Sequence, residues 1–448
     1  METKSKVVEK QHLVSFILIT SLFFLWGIAN DLTNPMVSAF KKVMPELSNF
    51  EAALVQLAFY GGYATMAIPA ALFVRKYSYK KGILLGLLLY ATGALLFYPA
   101  AAYEKFGFFL ASLYVLTFGL AFLETVSNPF ILSMGAKETA TRRLNLSQTF
   151  NPPGSLLGML LAQLFVINLL QSDDYTPAQY NALSASEQAA IRSNDLSVIS
   201  WPYIGLGCLV LVMFILIAVA KMPKLKEEAH LPVGQSFRVL MKNKRYYFGV
   251  IAQAFYVGAQ IMCWTFIFQY VDNLNASRPA DAQLTATWYN MAAMVAFLTG
   301  RALSTYLLKY IGPGKLMMYF ALGAIGLTLG TIFIIDMGGL YCLVGISVMM
   351  SLMFPTIYGI ALKDMGEEAK LGSAGLVMAI VGGALLPPLQ GLILDLGGEG
   401  FSDVLLFGYI PEVNFSFVLP MVSFIVVAVY SYYSHKYYLK DDYLMSKS

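Results

Sequence analysis

Two carboxylates stand where an apolar helix tolerates them poorly: Asp31 in FLWGIANDLTNPM and Glu124 in LAFLETVSNPF. A charge at the centre of a bilayer-crossing helix costs roughly 2.5–3.5 kcal/mol, so such a group faces a cavity or a partner. No Lys or Arg falls within the other apolar runs of the first half to neutralise Glu124. A carboxyl group buried without a cation favours its protonated form, which suits Glu124 to taking up and releasing a proton; a permanent ion pair that fixes helix packing is the competing reading. Asp31 lies roughly 18 residues into its helix, or about 27 Å at the helical rise, towards the far mouth where hydration lowers the penalty. Proton coupling and ligand binding are both open to it.

Amides surround these acids at helical spacing. Asn30, Asp31 and Asn34 share a wedge of about 100°, and Glu124 shares one with Ser127 and Asn128. In LNLSQTFNPPGS, Asn145, Gln148, Asn151 and Ser155 line one side; in AQAFYVGAQIMCW, Gln253, Tyr256, Gln260 and Trp264 do the same. Amides offer paired donors and acceptors, which suits a polyhydroxylated ligand, and the rings of Tyr256 and Trp264 suit the apolar face of a sugar. The plainer alternative is that the amides only bond neighbouring helices, worth about 0.6 kcal/mol each.

The elements that must position these stripes follow from hydropathy. Of 448 residues, 58% are hydrophobic and 12% charged, with mean hydropathy +0.64; a soluble chain carries roughly 25% charged residues. Runs of about 20 apolar residues cross a bilayer, and twelve are expected, near 13–38, 52–74, 82–101, 107–133, 145–170, 198–220, 246–272, 285–308, 314–336, 339–362, 371–396 and 412–435. The fold class is therefore an all-α membrane protein of two six-helix halves, 13–220 and 246–435. A polar hairpin over 171–197 interrupts the first half, a basic cytoplasmic connector, 221–245, separates the two, and tails 1–12 and 436–448 flank them. Lys and Arg concentrate on the side of both termini, which places that side in the cytoplasm. The N-terminus reads as a retained tail, not a signal peptide.

Several function classes drop out. A net charge of +4 does not argue for nucleic acid. Cys208, Cys263 and Cys342 are lone residues in apolar runs, and His12, His230 and His435 lie where hydrophobic runs meet charged segments, so neither a metal site nor a catalytic cluster is expected, and no cofactor. A sugar sensor would call for a large cytoplasmic domain, and only short tails and the connector are present. Arg301, two turns from the cytoplasmic end of the eighth run, either snorkels to the interface or serves a gate or cavity. Pro152–Pro153 and Pro387–Pro388 should kink their helices. The halves also echo each other: FVRKYSYKKGILL aligns with YLLKYIGPGKLMM, and NPFILSMGAKE with FPTIYGIALKD. Such a parallel repeat suits a major facilitator fold with substrate held between halves.

The ordered motifs FFLWGIAND, QLAFYGGY, ALLFYPAA, FLETVSNPF, RRLNLSQTFN and YVGAQIMCW resemble the bacterial L-fucose:proton symporter family of the major facilitator superfamily, over residues 14 to 395. The resemblance implies a bacterial inner-membrane sugar importer driven by protons, L-fucose being the favoured sugar and galactose or glucose the next. A sodium-coupled or facilitated carrier stays open, and a functional monomer is expected. The resemblance also implies a span-four glutamate that alternates its protonation, matched by Glu124, and a span-five glutamine and asparagine near the sugar, matched by Gln148 and Asn151. The family's sugar-associated aspartate falls at Asn34, whereas the acid of this chain, Asp31, sits one turn earlier.

Overall fold

In lipid a backbone must satisfy its own hydrogen bonds, so a long apolar run has the helix as its route across. The computed structural model describes residues 7–33, 36–44, 47, 49–175, 177–222, 232–394 and 404–445, and places a helix at each of the twelve expected runs. Eleven of these helices are long and apolar enough to cross a membrane. The other, Ala286–Leu307, is a 22-residue helix that carries Asn290 and Arg301, polar residues that lower its hydropathy.

Six spans are divided by local breaks: the third is Tyr79–Leu95 and Phe97–Tyr103, the fifth Ala140–Gln148 and Asn151–Phe165, the seventh Lys244–Thr265 and Ile267–Asn275, the tenth Met337–Met350 and Met353–Ala361, the eleventh runs from Glu368–Met378 through short turns to Pro387–Leu394, and the twelfth is Glu412–Ser416 and Val418–Met445. The sixth starts at Ala185, well before its apolar run. The reason is a capping box, in which Ser184 Oγ accepts from the Glu187 backbone N–H and Glu187 accepts from the Ser184 N–H. Asp195, buried further along that helix, accepts from the backbone N–H groups of Gln171 and Ser172, both at 2.9 Å, and pins part of the polar hairpin.

Two compact units emerge. One comprises Lys10–Phe130 and Phe150–Lys226; the other comprises Met1–Glu9, Ile131–Thr149 and Glu227–Ser448. In the first unit, the opening span (Leu13–Thr33) lies along Asn151–Phe165 at a separation that only glycine permits. A Cβ on Gly154 would overlap the Phe24 carbonyl oxygen, and one on Gly158 would lie 2.5 Å from that of Ile28. Small residues are the usual means of close approach between membrane helices. Tyr90 Oη donates to the Leu25 carbonyl at 3.0 Å, and Thr33 and Tyr203 bond through their hydroxyls at 3.0 Å. Lys80 donates to the Ala218 and Ala220 carbonyls where the sixth helix ends.

In the second unit, Tyr256 Oη donates to the Met350 carbonyl and Tyr430 Oη to that of Arg245. Asn414 Nδ2 donates to Tyr270 Oη and to the Thr331 carbonyl. The Ile131–Thr149 segment is organised by Arg143, which is wholly buried. Its guanidinium donates to the carbonyls of Ile131 (2.7 Å), Leu132 (2.5 Å) and Val7 (3.0 Å). Only a planar fork reaches several acceptors at once, so Arg143→Lys is expected to cost about 1–2 kcal/mol of stability. Thermal unfolding in detergent checks this; a midpoint equal to that of the parent would show that these bonds contribute nothing.

Candidate functional site

The first unit carries both acids. Asp31 is buried near the end of the opening span, and its electrostatic neighbour on the second span (Asn49–Lys76) is Tyr60. Glu124 sits in the second half of Phe106–Leu132, largely buried but partly exposed, and its corresponding neighbour is Tyr63. Tyr60 and Tyr63 stand one turn apart in QLAFYGGY, each within the field of one acid, and Phe59 packs edge-on against both. Neither tyrosine was singled out from the sequence. Their spacing of three, which puts both on one helix face, is the signal that was available.

The amides of this unit divide by what holds them. Asn30 is half-buried, and its Oδ1 has no hydrogen-bond partner among the described residues. Asn151 is half-exposed and anchored to the opening span, its Nδ2 donating to the Phe23 carbonyl at 3.1 Å, which leaves Oδ1 as the atom to meet a ligand. Asn128 is fully enclosed, and its Nδ2 donates back to the Glu124 carbonyl at 3.0 Å. It therefore shapes the backbone beneath the acid. Asn34 lies outside the described residues.

The second unit gathers the seventh-span stripe. Trp264 is half-buried; its Nε1 donates to Ser347 Oγ at 3.2 Å, its carbonyl accepts from Asn290 Nδ2, and Phe297 packs edge-on at 5.2 Å. Two contacts thus hold the ring, and the Asn290 bond holds its backbone. Gln260, one turn before it, is half-buried. Gln253 and Tyr256 are fully enclosed; Tyr256 is spent on the Met350 carbonyl, while neither side-chain polar atom of Gln253 has a partner among the described residues. Gln148 is 5% exposed, and its backbone carbonyl accepts from Arg301 Nη1 at 3.2 Å. Arg301 does not snorkel: it is 3% exposed, with its guanidinium over the Phe297 ring at 4.9 Å. Among the described residues no cluster of His, Cys, Asp or Glu could hold a metal ion.

The arrangement can do two things chemically. The carboxyl of Glu124 can exchange a proton through its partly exposed side, and the amides and Trp264 can bind hydroxyls and a ring face. Comparison with known proteins shows the family and the fold. Residues 12–387 match the family model described as Major Facilitator Superfamily. The chain is 54% identical over 437 residues to the L-fucose-proton symporter of Haemophilus influenzae, covering 96% of this chain and 99% of that one. It is 34% identical over 398 residues to the L-fucose-proton symporter of Escherichia coli, covering 87% and 89%. Among solved structures it superposes, with a TM-score of 0.82 and 31% identity, on the crystal structure of the Major Facilitator Superfamily transporter FucP in the outward conformation, covering 95% of this chain and 99% of that one.

Proposed function

Because the chain belongs to the Major Facilitator Superfamily, and within it to the family of the L-fucose-proton symporters, we propose that it imports L-fucose together with protons by alternating access. It is a transporter and not an enzyme. Protons and sugar load a cavity from outside, the two halves rock, and both are released inside. Glu124 carries the coupling proton. Asp31, with Asn30 and Asn34, holds sugar hydroxyls from the opening span, and Gln148 and Asn151 do so from the fifth. Gln260 and Trp264 contact the sugar from the seventh span, with Gln253 and Tyr256 behind them. A charged Glu124 opposes return of the empty carrier, so its protonation state selects which conformations exchange. The protein works as a monomer in the bacterial inner membrane with both termini cytoplasmic.

The observation that carries the coupling is the position of Glu124: a carboxyl well inside a 27-residue apolar helix, largely buried but partly exposed, with a tyrosine in its field. The test is uptake of labelled L-fucose into energised vesicles, with a panel of unlabelled sugars as competitors. Excess L-fucose is expected to abolish uptake of label, galactose and glucose to compete more weakly, and collapse of the pH gradient to stop accumulation. Replacing external sodium at a fixed pH gradient should change nothing. Uptake that excess L-fucose leaves untouched would remove fucose as the substrate, and a requirement for sodium would remove the proton.

A further inference from the structure

We propose that Asn290, on the eighth span, is a further sugar-binding residue that accepts a hydrogen bond from one hydroxyl of a sugar stacked on Trp264 and thereby selects for that hydroxyl. The inference rests on the transport reading above, in which Trp264 contacts the sugar. An amide in a membrane-crossing helix ordinarily bonds a neighbouring helix, and one end of Asn290 does so: its Nδ2 donates to the Trp264 carbonyl at 2.9 Å. The other end does not. Asn290 is 6% exposed, and its Oδ1 is enclosed without a hydrogen-bond partner among the described residues. Which end is which follows from the partner: a backbone carbonyl only accepts, so the end that faces it is the amide nitrogen and the end left over is the oxygen.

The other groups around Trp264 are already committed or open to water. Its indole Nε1 donates to Ser347 Oγ at 3.2 Å, so the ring offers a ligand its apolar surface but no N–H. Phe297 meets that ring edge-on at 5.2 Å, with the Arg301 guanidinium 4.9 Å from its own centroid, and adds apolar surface only. Gln260, one turn before Trp264, is half-buried, so water satisfies its amide whenever a hydroxyl does not. Asn290 Oδ1 has no such alternative. A buried acceptor without a donor is costly; a ligand that brings the matching hydroxyl removes that cost, and one that lacks it leaves the cost in place. Sites that meet a ligand hydroxyl with a buried polar group reject the analogue without it far more strongly than an apolar pocket rejects a change of size. Discrimination between sugars therefore falls on Asn290 more than on Gln260.

The helix places the amide where it can do this. Asn290 and Phe297 are seven residues apart on Ala286–Leu307, two turns along and within about 20° of the same direction. Both close on Trp264, Asn290 at its backbone and Phe297 at its ring. Because Nδ2 is tied to the Trp264 main chain, the planar amide is held, and Oδ1 keeps a fixed direction beside the residue that stacks on the sugar. Trp264 is the partly exposed member of the group, whereas Asn290, Phe297 and Ser347 are buried. A hydroxyl therefore comes to Oδ1 from the Trp264 side, as the ring shifts to take the sugar; side-chain shifts of this kind are common at binding surfaces.

The experiment is equilibrium binding by the full-length chain in detergent, with L-fucose and a set of analogues that each lack one ring hydroxyl. In the parent, removing the hydroxyl that meets Oδ1 should weaken binding about tenfold. In Asn290→Leu, L-fucose itself should bind about tenfold more weakly. One analogue, and only one, should then bind as tightly as L-fucose, within about twofold, while the rest keep the losses they show in the parent. A residue that merely held the Trp264 backbone would weaken L-fucose and every analogue by the same factor, and that result overturns the proposal. So does parent-like affinity for L-fucose in Asn290→Leu. If Asn290→Leu does not accumulate in the membrane, Asn290→Ala, which deletes the same amide without adding apolar bulk, is read by the same criterion. A parent that binds another sugar of the competitor panel and not L-fucose counts against the fucose reading alone, and the comparison is then made with that sugar and its deoxy analogues. A parent that binds no sugar overturns the transport reading and this proposal together.

Discussion

Replacing Glu124 with glutamine is expected to abolish uphill accumulation of L-fucose while leaving exchange of labelled for unlabelled sugar within about tenfold of wild type, the scale of one hydrogen bond altered at a polar site. Glutamine has the shape and neutrality of the protonated acid, so the substituted carrier resembles a proton-loaded one that cannot unload. Exchange needs only the loaded carrier to cycle, whereas accumulation needs the empty one to return with the proton gone. A carboxylate in the middle of an apolar helix is also where losing charge changes energies most. The pH profile sharpens the expectation. Wild-type uptake should fall as external pH rises, because fewer carriers load a proton, and exchange by the Glu124→Gln variant should be flat over the same range. Sugar-driven proton entry surviving in that variant would show that the coupling group lies elsewhere.

Asp31→Asn is expected to weaken sugar binding by about 10–100-fold, because a hydrogen bond from a hydroxyl to a charged acceptor is worth about 1.5–3 kcal/mol and each 1.4 kcal/mol is tenfold in affinity. The substitution keeps the side-chain size and leaves the packing of the opening span on Asn151–Phe165 alone, so equilibrium binding in detergent reads the charge. Asn34→Asp supplies the comparison, since the motif resemblance implies an acid at position 34. On the present reading Asp31→Asn loses affinity and Asn34→Asp, in an otherwise unchanged chain, gains little. Wild-type affinity in Asp31→Asn, with tighter binding in Asn34→Asp, would instead make Asp31 a hydrated rim residue and position 34 the sugar contact.

Much of this site could be read along the chain because helical period turns spacing into direction. Glu124 stood out as an acid without a sequence-local cation, and the stripe from Gln253 to Trp264 stood out because its residues recur at helical intervals. Within that stripe, however, the fold separates residues that period alone treats alike: Gln260 and Trp264 are half-buried, while Gln253 and Tyr256 are enclosed. Period says which side of a helix a residue is on, but not how deeply a neighbouring helix covers it. The start of the sixth helix shows the converse limit of hydropathy. Ser184 and Glu187 cap a helix whose first turns are polar, a local hydrogen-bond signal that a scale of lipid solubility passes over.

The amino-acid sequence by itself determined the twelve spans, because a backbone in lipid has no partner but itself and composition alone then forces the helix. It also determined the polar stripes and the position of the acids along their helices, which follow from rise and period. Tertiary structure decided what those groups meet. Tyr60 and Tyr63 come within the field of the acids only once the helices pack. Arg301, equally readable as a snorkelling cation, is instead buried on carbonyls 50 and 153 residues away in the chain. Which carbonyls that cation meets is settled by packing, since a hydrogen bond depends on distance in space and not on separation along the chain.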